Sequence, residues 1–311
     1  MIENSNEHSF SYSVKEEIIS KINSKPKADA CLMGILIACN NLSEDGISFL
    51  TEHKSVADFF KNNINRICDD NNSVSVMEFD KKGDKILYNL SVEKQENRLI
   101  ILEHFRMDSI RRLTESELPK AKFYPQLISG VFLACGSVNN PHKKYHLEFV
   151  LPSLDLCNDL GVLIIENYDI LPKHTERKNT QVVYLKESEN IIDMLTIMGA
   201  INSSLELMNV KIYKDMKNRI NRAVNCDNAN IEKSLKAAER QIADIELIDD
   251  TIGIGSLPEN LQEIARIRYN NPDYNLKDLG NALNPPISRS GANHRLIKIA
   301  EIAEKIRSEK K

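Results

Sequence analysis

The hydrophobic pattern along the chain is built around two apolar runs that match each other. Residues 32–40 (Leu-Met-Gly-Ile-Leu-Ile-Ala-Cys-Asn) align with residues 128–136 (Ile-Ser-Gly-Val-Phe-Leu-Ala-Cys-Gly). Gly34 falls opposite Gly130, Ala38 opposite Ala134, and Cys39 opposite Cys135. A polar turn follows each run. Next comes a strand-like alternation, at 46–52 in one copy and 145–151 in the other, and then an amphipathic helical period at 56–67 and 154–165. Further strand signals occupy 74–79 and 86–93 in the first copy, and 180–185 and 208–213 in the second. The Asp80-Lys81-Lys82-Gly83-Asp84 cluster reads as a hairpin turn. Ahead of the first copy, Ser13-Val14-Lys15-Glu16 has the spacing of a helix capping box. Lys25-Pro26-Lys27 closes that first helix, because proline disfavours helix in the residue before it.

The same order of elements after both runs predicts an internal duplication with approximate two-fold symmetry, rather than two unrelated buried helices. A glycine and an alanine four apart lie on one helix face and remove side-chain bulk there. Gly34, Ala38, Gly130 and Ala134 are therefore expected at a helix–helix interface on the pseudo-two-fold axis. A charged connecting segment, 106–122 and containing Pro119, separates the copies. After the second copy a basic stretch carries Lys211, Lys214, Lys217, Arg219 and Arg222. Asn228 or Asn230 is then placed to cap a long helix over 231–248. Residues 249–258, with Gly253, Gly255 and Pro258, read as a break and a domain boundary.

The last fifty residues predict three helices: one over 259–269, a short one over 276–283 capped by Asn275, and one from Ser288 to about residue 307. Asn284-Pro285-Pro286 is a stiff turn between the last two. Gly280 allows close packing there. A short helix, a turn and a helix with a polar leading face form the helix-turn-helix pattern. The leading face offers Ser288, Arg289, Ser290, Asn293, His294, Arg295 and Lys298. Arginine can pair with guanine and asparagine with adenine, each in a bidentate way. The acidic residues Glu301, Glu304 and Glu309 come only later in the helix. A small helical protein-interaction module with a merely solvated charged face is the competing reading.

Charge sharpens this picture. The 311 residues carry a net charge of −4, so any surface for nucleic acid is local rather than global. No secretory signal and no membrane span is expected: residues 1–6 are polar, and the longest apolar run, 31–39, is too short for a bilayer. Six cysteines, none in a Cys-x-x-Cys pair, read as reduced small hydrophobes of a cytosolic protein. No metal pair is expected among the seven histidines, and His142 and His146 read as surface residues flanking a turn. No cofactor is expected.

Residues 130–141 (from Gly-Val-Phe-Leu-Ala-Cys-Gly-Ser-Val to Asn-Asn-Pro), the stretch 215–230, Ser256-Leu257-Pro258 and Ser290-Gly291-Ala292-Asn293-His294-Arg295-Leu296 together resemble the WhiA family, over 10–307. The resemblance implies an α+β fold. Its core is a duplicated domain like that of LAGLIDADG homing endonucleases, with two signature helices at the central interface and sheets forming a DNA saddle; an all-α helix-turn-helix domain follows. The implied partition is 1–105 and 124–222 for the two halves, 106–123 for the connection, 223–257 for a linker helix and 258–311 for the helix-turn-helix domain. The implied role is a DNA-binding transcriptional regulator of cell division and chromosome segregation, or of sporulation in spore-forming relatives. Its partners would be double-stranded DNA and other transcription or division proteins. It would be cytoplasmic and associated with the nucleoid.

In cutting enzymes of that fold each signature helix ends with an acidic residue that holds a hard cation. Those positions match Cys39 and Cys135 here, and a thiol is a poor magnesium ligand. Glu44, Asp45 and Glu148 do not replace the pair by spacing. No catalytic residue and no metal site is therefore expected. An active endonuclease and an interaction scaffold in division with weak or non-specific DNA binding are the alternatives. Lys211, Lys214, Lys217, Arg219 and Arg222 are candidates for phosphate contacts.

Overall fold

A computed structural model describes residues 9–309 except 82–84, 108–111, 114–119 and 179. Residues 1–6, most of the hairpin turn at 80–84, and much of the connecting segment with Pro119 lie outside the described residues. Two compact units result, Met1–Lys214 and Asp215–Lys311.

The first unit holds the duplication. In chain order it contains α1 (Phe10–Ser20), α2 (Lys25–Ala38), β1 (Asn41–Leu42), β2 (Ile47–Thr51), α3 (Lys54–Cys68), β3 (Ser75–Lys81), β4 (Lys85–Val92) and α4 (Gln95–Phe105). The second copy follows as α5 (Tyr124–Cys135), β5 (Gly136–Val138), β6 (Leu147–Leu151), α6 (Leu154–Tyr168), β7 (Lys173–Arg177), β8 (Thr180–Leu185) and α7 (Ser188–Ile197). Helix α8 (Ile201–Ile252) begins in this unit and ends in the second. The two sheets are antiparallel with one topology, β1-β2-β4-β3 and β5-β6-β8-β7. Phe49 on β2 and Phe149 on β6 hold the same place in their sheets, but Phe49 packs on Phe60 of α3 with ring centroids 5.3 Å apart and Phe149 on Phe132 of α5 at 5.9 Å.

The signature helices α2 and α5 cross at their glycines. A Cβ on Gly34 would stand 2.1 Å from the Leu127 carbonyl oxygen, and one on Gly130 would stand 1.9 Å from that of Cys31. Only glycine permits this approach. Ala38 and Ala134 are half-buried beside the same core, one turn beyond the closest contact.

Several local expectations need correction. Helix α1 starts at Phe10, capped by Ser9, whose hydroxyl accepts from the Tyr12 amide at 3.2 Å; Ser13 lies inside the helix. Phe10 is buried, so core packing pulls the start forward by one turn. Pro26 sits in the first turn of α2, where its missing N–H costs nothing, and so opens that helix rather than closing α1. The strand expected at 208–213 is helical, part of α8. Ser203, Ser204, Leu207 and Val210 are the buried positions of its first turns, and their three-and-four spacing overrides the local β-like composition. Asn228 and Asn230 cap nothing, because α8 runs through them. Strand β7, Lys-His-Thr-Glu-Arg, has no apolar alternation and, among the described residues, pairs only with β8, as a polar edge strand.

The second unit packs the end of α8 against α9 (Glu259–Asn270), α10 (Leu276–Ala282) and α11 (Arg289–Glu309). Its core is aliphatic and includes Ile245, Ile248, Leu261, Ile264, Leu279, Leu296 and Ile299. Gly253, at φ 78°, ends α8 in a conformation that favours glycine.

Candidate nucleic-acid interface

Helix α10 is fixed at its start by a full capping box. The Asn275 side chain accepts from Lys277 N at 2.8 Å and Asp278 N at 3.1 Å, and Asp278 accepts from Asn275 N at 3.2 Å. Gly280 lies against the chain entering α11: a Cβ there would stand 2.5 Å from the Ile287 carbonyl oxygen. The Ile287 amide donates to the Gly280 carbonyl at 2.9 Å and so closes the turn. Ser288 caps α11 by accepting from Gly291 N at 3.2 Å. The turn between α10 and α11 is thus set by backbone contacts that the sequence could only suggest.

Helix α11 buries Ala292, Leu296, Ile299 and Ala303. Its opposite face exposes Arg289, Ser290, Asn293, His294 and Lys298, with Ser288 exposed just before it. Arg289, Asn293 and Ile297, four residues apart, form one line along that face. Ile297 is 47% exposed in its middle, an apolar residue that reading for polar groups passed over. Its position four residues after Asn293 was the available signal. Arg295 differs from the others: it is half-buried, and its guanidinium donates to the Asn260 carbonyl at 3.1 Å, which ties α11 to α9.

The basic stretch divides in the same way. Lys211 pairs with Glu189 at 2.6 Å. Lys214 donates to the carbonyls of Pro141 and Lys143 at 2.7 and 2.8 Å and lies over the Tyr145 ring. Both are engaged within the first unit. Lys217, Arg219 and Arg222 are exposed on α8.

At the ends of the signature helices, Cys39 donates to the Asn41 carbonyl at 3.0 Å and Cys135 to that of Val131 at 3.2 Å. Burial pushes the Cys135 thiol up to about 12, so it stays neutral. Lys15, on α1, reaches the same end of α5. Its ammonium donates to the Leu133 carbonyl at 3.1 Å and lies 5.7 Å from the Phe132 ring centroid. Burial lowers its pKa to about 8, with Cys135 and Glu52 pulling weakly the other way. Nothing in the sequence pattern singled out Lys15. His146 accompanies Glu148 at 2.9 Å, and Arg177 reaches the same carboxylate at 3.4 Å. Among the described residues no group of three or more His, Cys, Asp or Glu is arranged to hold a metal ion. No described helix is long and apolar enough to cross a membrane.

Comparison with known proteins agrees with this architecture. Residues 125–217 match the WhiA LAGLIDADG-like domain, and residues 220–303 match the WhiA C-terminal HTH domain. A protein of Clostridium acetobutylicum described as a probable cell division protein WhiA is 39% identical, over 97% of this chain and 99% of its own length. One from Clostridium perfringens (strain 13) is also 39% identical, over 96% and 99%. The crystal structure of full-length WhiA from Thermatoga maritima shares the fold, with a TM-score of 0.56 at 24% identity over 96% of this chain and 99% of that one. The duplicated LAGLIDADG-like core, the helix-turn-helix unit and the full-length relatives together establish that the chain belongs to the WhiA family of cell division proteins.

Proposed function

We propose that the chain is a sequence-selective DNA-binding regulator of transcription that acts in cell division and chromosome segregation, in the cytoplasm on the nucleoid. The observation that carries this reading is the exposed line of Arg289, Asn293 and Ile297 on α11, flanked by Ser290 and His294. A helix of this kind enters the major groove, which displays a distinct pattern for each base pair. Arg289 and Asn293 would read purine edges, and Ile297 would meet a thymine methyl group. Ser288, His294 and Lys298 would meet the backbone at the rim, and Lys217, Arg219 and Arg222 would add phosphate contacts from α8. Arg295 positions the helix by holding α9.

We further propose that the LAGLIDADG-like core does not cut DNA. Cys39 and Cys135 stand where cutting relatives of this fold carry acids; burial keeps the Cys135 thiol neutral, and the Lys15 ammonium is buried beside it. A buried cation there repels a second one.

The test is fluorescence anisotropy of labelled duplexes with the full chain, using a site recovered by selection from random DNA. The expected result is salt-sensitive binding, tighter for the selected duplex than for a scrambled one, with DNA length unchanged after incubation with magnesium.

A scaffold role is favoured by one observation. On the open face of the first sheet the described side chains are uncharged: Leu50, Met77, Phe79 and Leu87 among Ser48, Ser75, Asn89 and Ser91. Such a face suits protein better than phosphates. Equal, weak affinity for selected and scrambled DNA would support this second reading.

A further inference from the structure

The second unit contains a cleft of about 170 Å³. It is walled by Lys233 and Gln241 of α8, by Arg268 of α9, by Tyr274 and Asn275 at the entrance to α10, and by Asn293 of α11. None of its lining residues is acidic.

Arg268 forms its base. This side chain is only 2% exposed. One guanidinium nitrogen, Nη1, donates to the carbonyls of Tyr274 at 2.6 Å, Pro272 at 3.2 Å and Asn271 at 3.4 Å, which stitches the turn between α9 and α10. Those partners are neutral, and among the described residues no carboxylate pairs with it. Its Nε, like Oε1 of Gln241 across the cleft, is buried without a hydrogen-bond partner among the described residues. A buried cation normally has a counter-ion, because neutral carbonyls offset only part of the cost of leaving water. The unpaired Arg268 Nε belongs to a cleft with no acidic lining residue, a setting that suits an anion, while the Gln241 oxygen calls for a donor.

We propose that this cleft receives a phosphate oxyanion of the DNA backbone beside the base pairs read by α11, with Lys233 as the contacting cation and Arg268 as the buried charge beneath it. The inference rests on the DNA-binding reading above. Lys233 is exposed at the cleft, and Asn293 belongs both to the cleft and to the base-reading line. A backbone phosphate is the anion that would accompany a base pair at Asn293. The linker helix α8 then contributes directly to DNA binding, from a residue outside the basic stretch at 211–222.

The test compares the full chain with Lys233→Ala and Lys233→Arg, by anisotropy across a salt series. For Lys233→Ala the slope of log K against log salt should shrink by about one. Affinity should fall by the same factor for selected and scrambled duplexes, and Lys233→Arg should restore the slope. Neutral methylphosphonates placed one at a time along the selected duplex should reveal one position that weakens the wild type and leaves Lys233→Ala unaffected. An unchanged slope, with wild-type binding intact, overturns the inference while leaving the DNA-binding reading in place; salt-insensitive wild type overturns both. If inorganic phosphate raises the melting temperature over chloride at equal ionic strength while the slope stays unchanged, the cleft takes a free oxyanion and the DNA assignment is wrong.

Discussion

In the proposed interface Asn293 and Ile297 would divide the reading of bases by chemistry: one offers hydrogen bonds, the other a hydrocarbon surface. Asn293→Ala should cost about 1–3 kcal/mol on the selected site and relax the base preference at one position. Ile297→Ala should act differently. Replacing thymine by deoxyuracil in the selected site removes only a methyl group, so it should weaken the wild type at one position and leave Ile297→Ala unchanged there. Equal loss in both proteins would remove Ile297 from the interface. Arg295→Ala should show up mainly in thermal stability, because its partner is the Asn260 carbonyl of α9. Lys15 gives a pH test. Its folded pKa, about 8, lies below the ordinary lysine value of 10.5, so the unfolded chain binds more protons between those two values. Stability from this group therefore rises as pH increases through that window, by on the order of 3 kcal/mol when titration is complete. Lys15→Met, which has no such proton, should narrow its advantage over the wild type as pH is raised from 7 toward 10 in chemical denaturation. A constant difference would mean that Lys15 is charged without penalty. The polar members of the α11 face were legible in the sequence because they cluster at a helix start. Ile297 and the inward turn of Arg295 were not, since exposure and a contact to another helix are properties of packing.

The elements make the clearest case for duplication. Helices α2 and α5 cross where Gly34 and Gly130 remove every side-chain atom, and a methyl group at either site would meet backbone 1.9–2.1 Å away. Backbone cannot step aside as a flexible side chain can. Gly34→Ala or Gly130→Ala should lower stability by about 1–3 kcal/mol or more, read as a drop in thermal midpoint of the first unit. Ala38→Ser, one turn beyond the closest approach, should be milder. The repeated glycine was visible from sequence because two copies could be laid over each other. Strand β7 was not, because a polar edge strand carries no hydrophobic period. The strand expected over 208–213 fails for a related reason: a six-residue window is too short to show the helical spacing that runs on from Ser203. The α10 cap was legible from Asn275 alone, and Asn275→Ala should cost about 1 kcal/mol in the second unit.

At the scale of the whole molecule, a chain of net charge −4 that binds DNA must do so through a limited surface. The proposed surface is the start of α11 with the exposed cations of α8, while the first unit has a LAGLIDADG-like fold with a thiol at the end of each signature helix and the buried Lys15 ammonium beside one of them. The duplication and the three terminal helices followed from the residue pattern, and the fold class from the family resemblance. The continuity of α8 did not, because nothing local distinguishes a 52-residue helix from a strand and a capped helix in sequence. The central claim is that the α11 face reads base sequence. It is tested most directly by anisotropy titrations of wild type and Asn293→Ala against selected and scrambled duplexes at one fixed salt concentration. The account predicts a wild type that prefers the selected duplex, and a variant whose preference shrinks while its binding to scrambled DNA is unchanged. Equal preference in the two proteins, or none in the wild type, would contradict it.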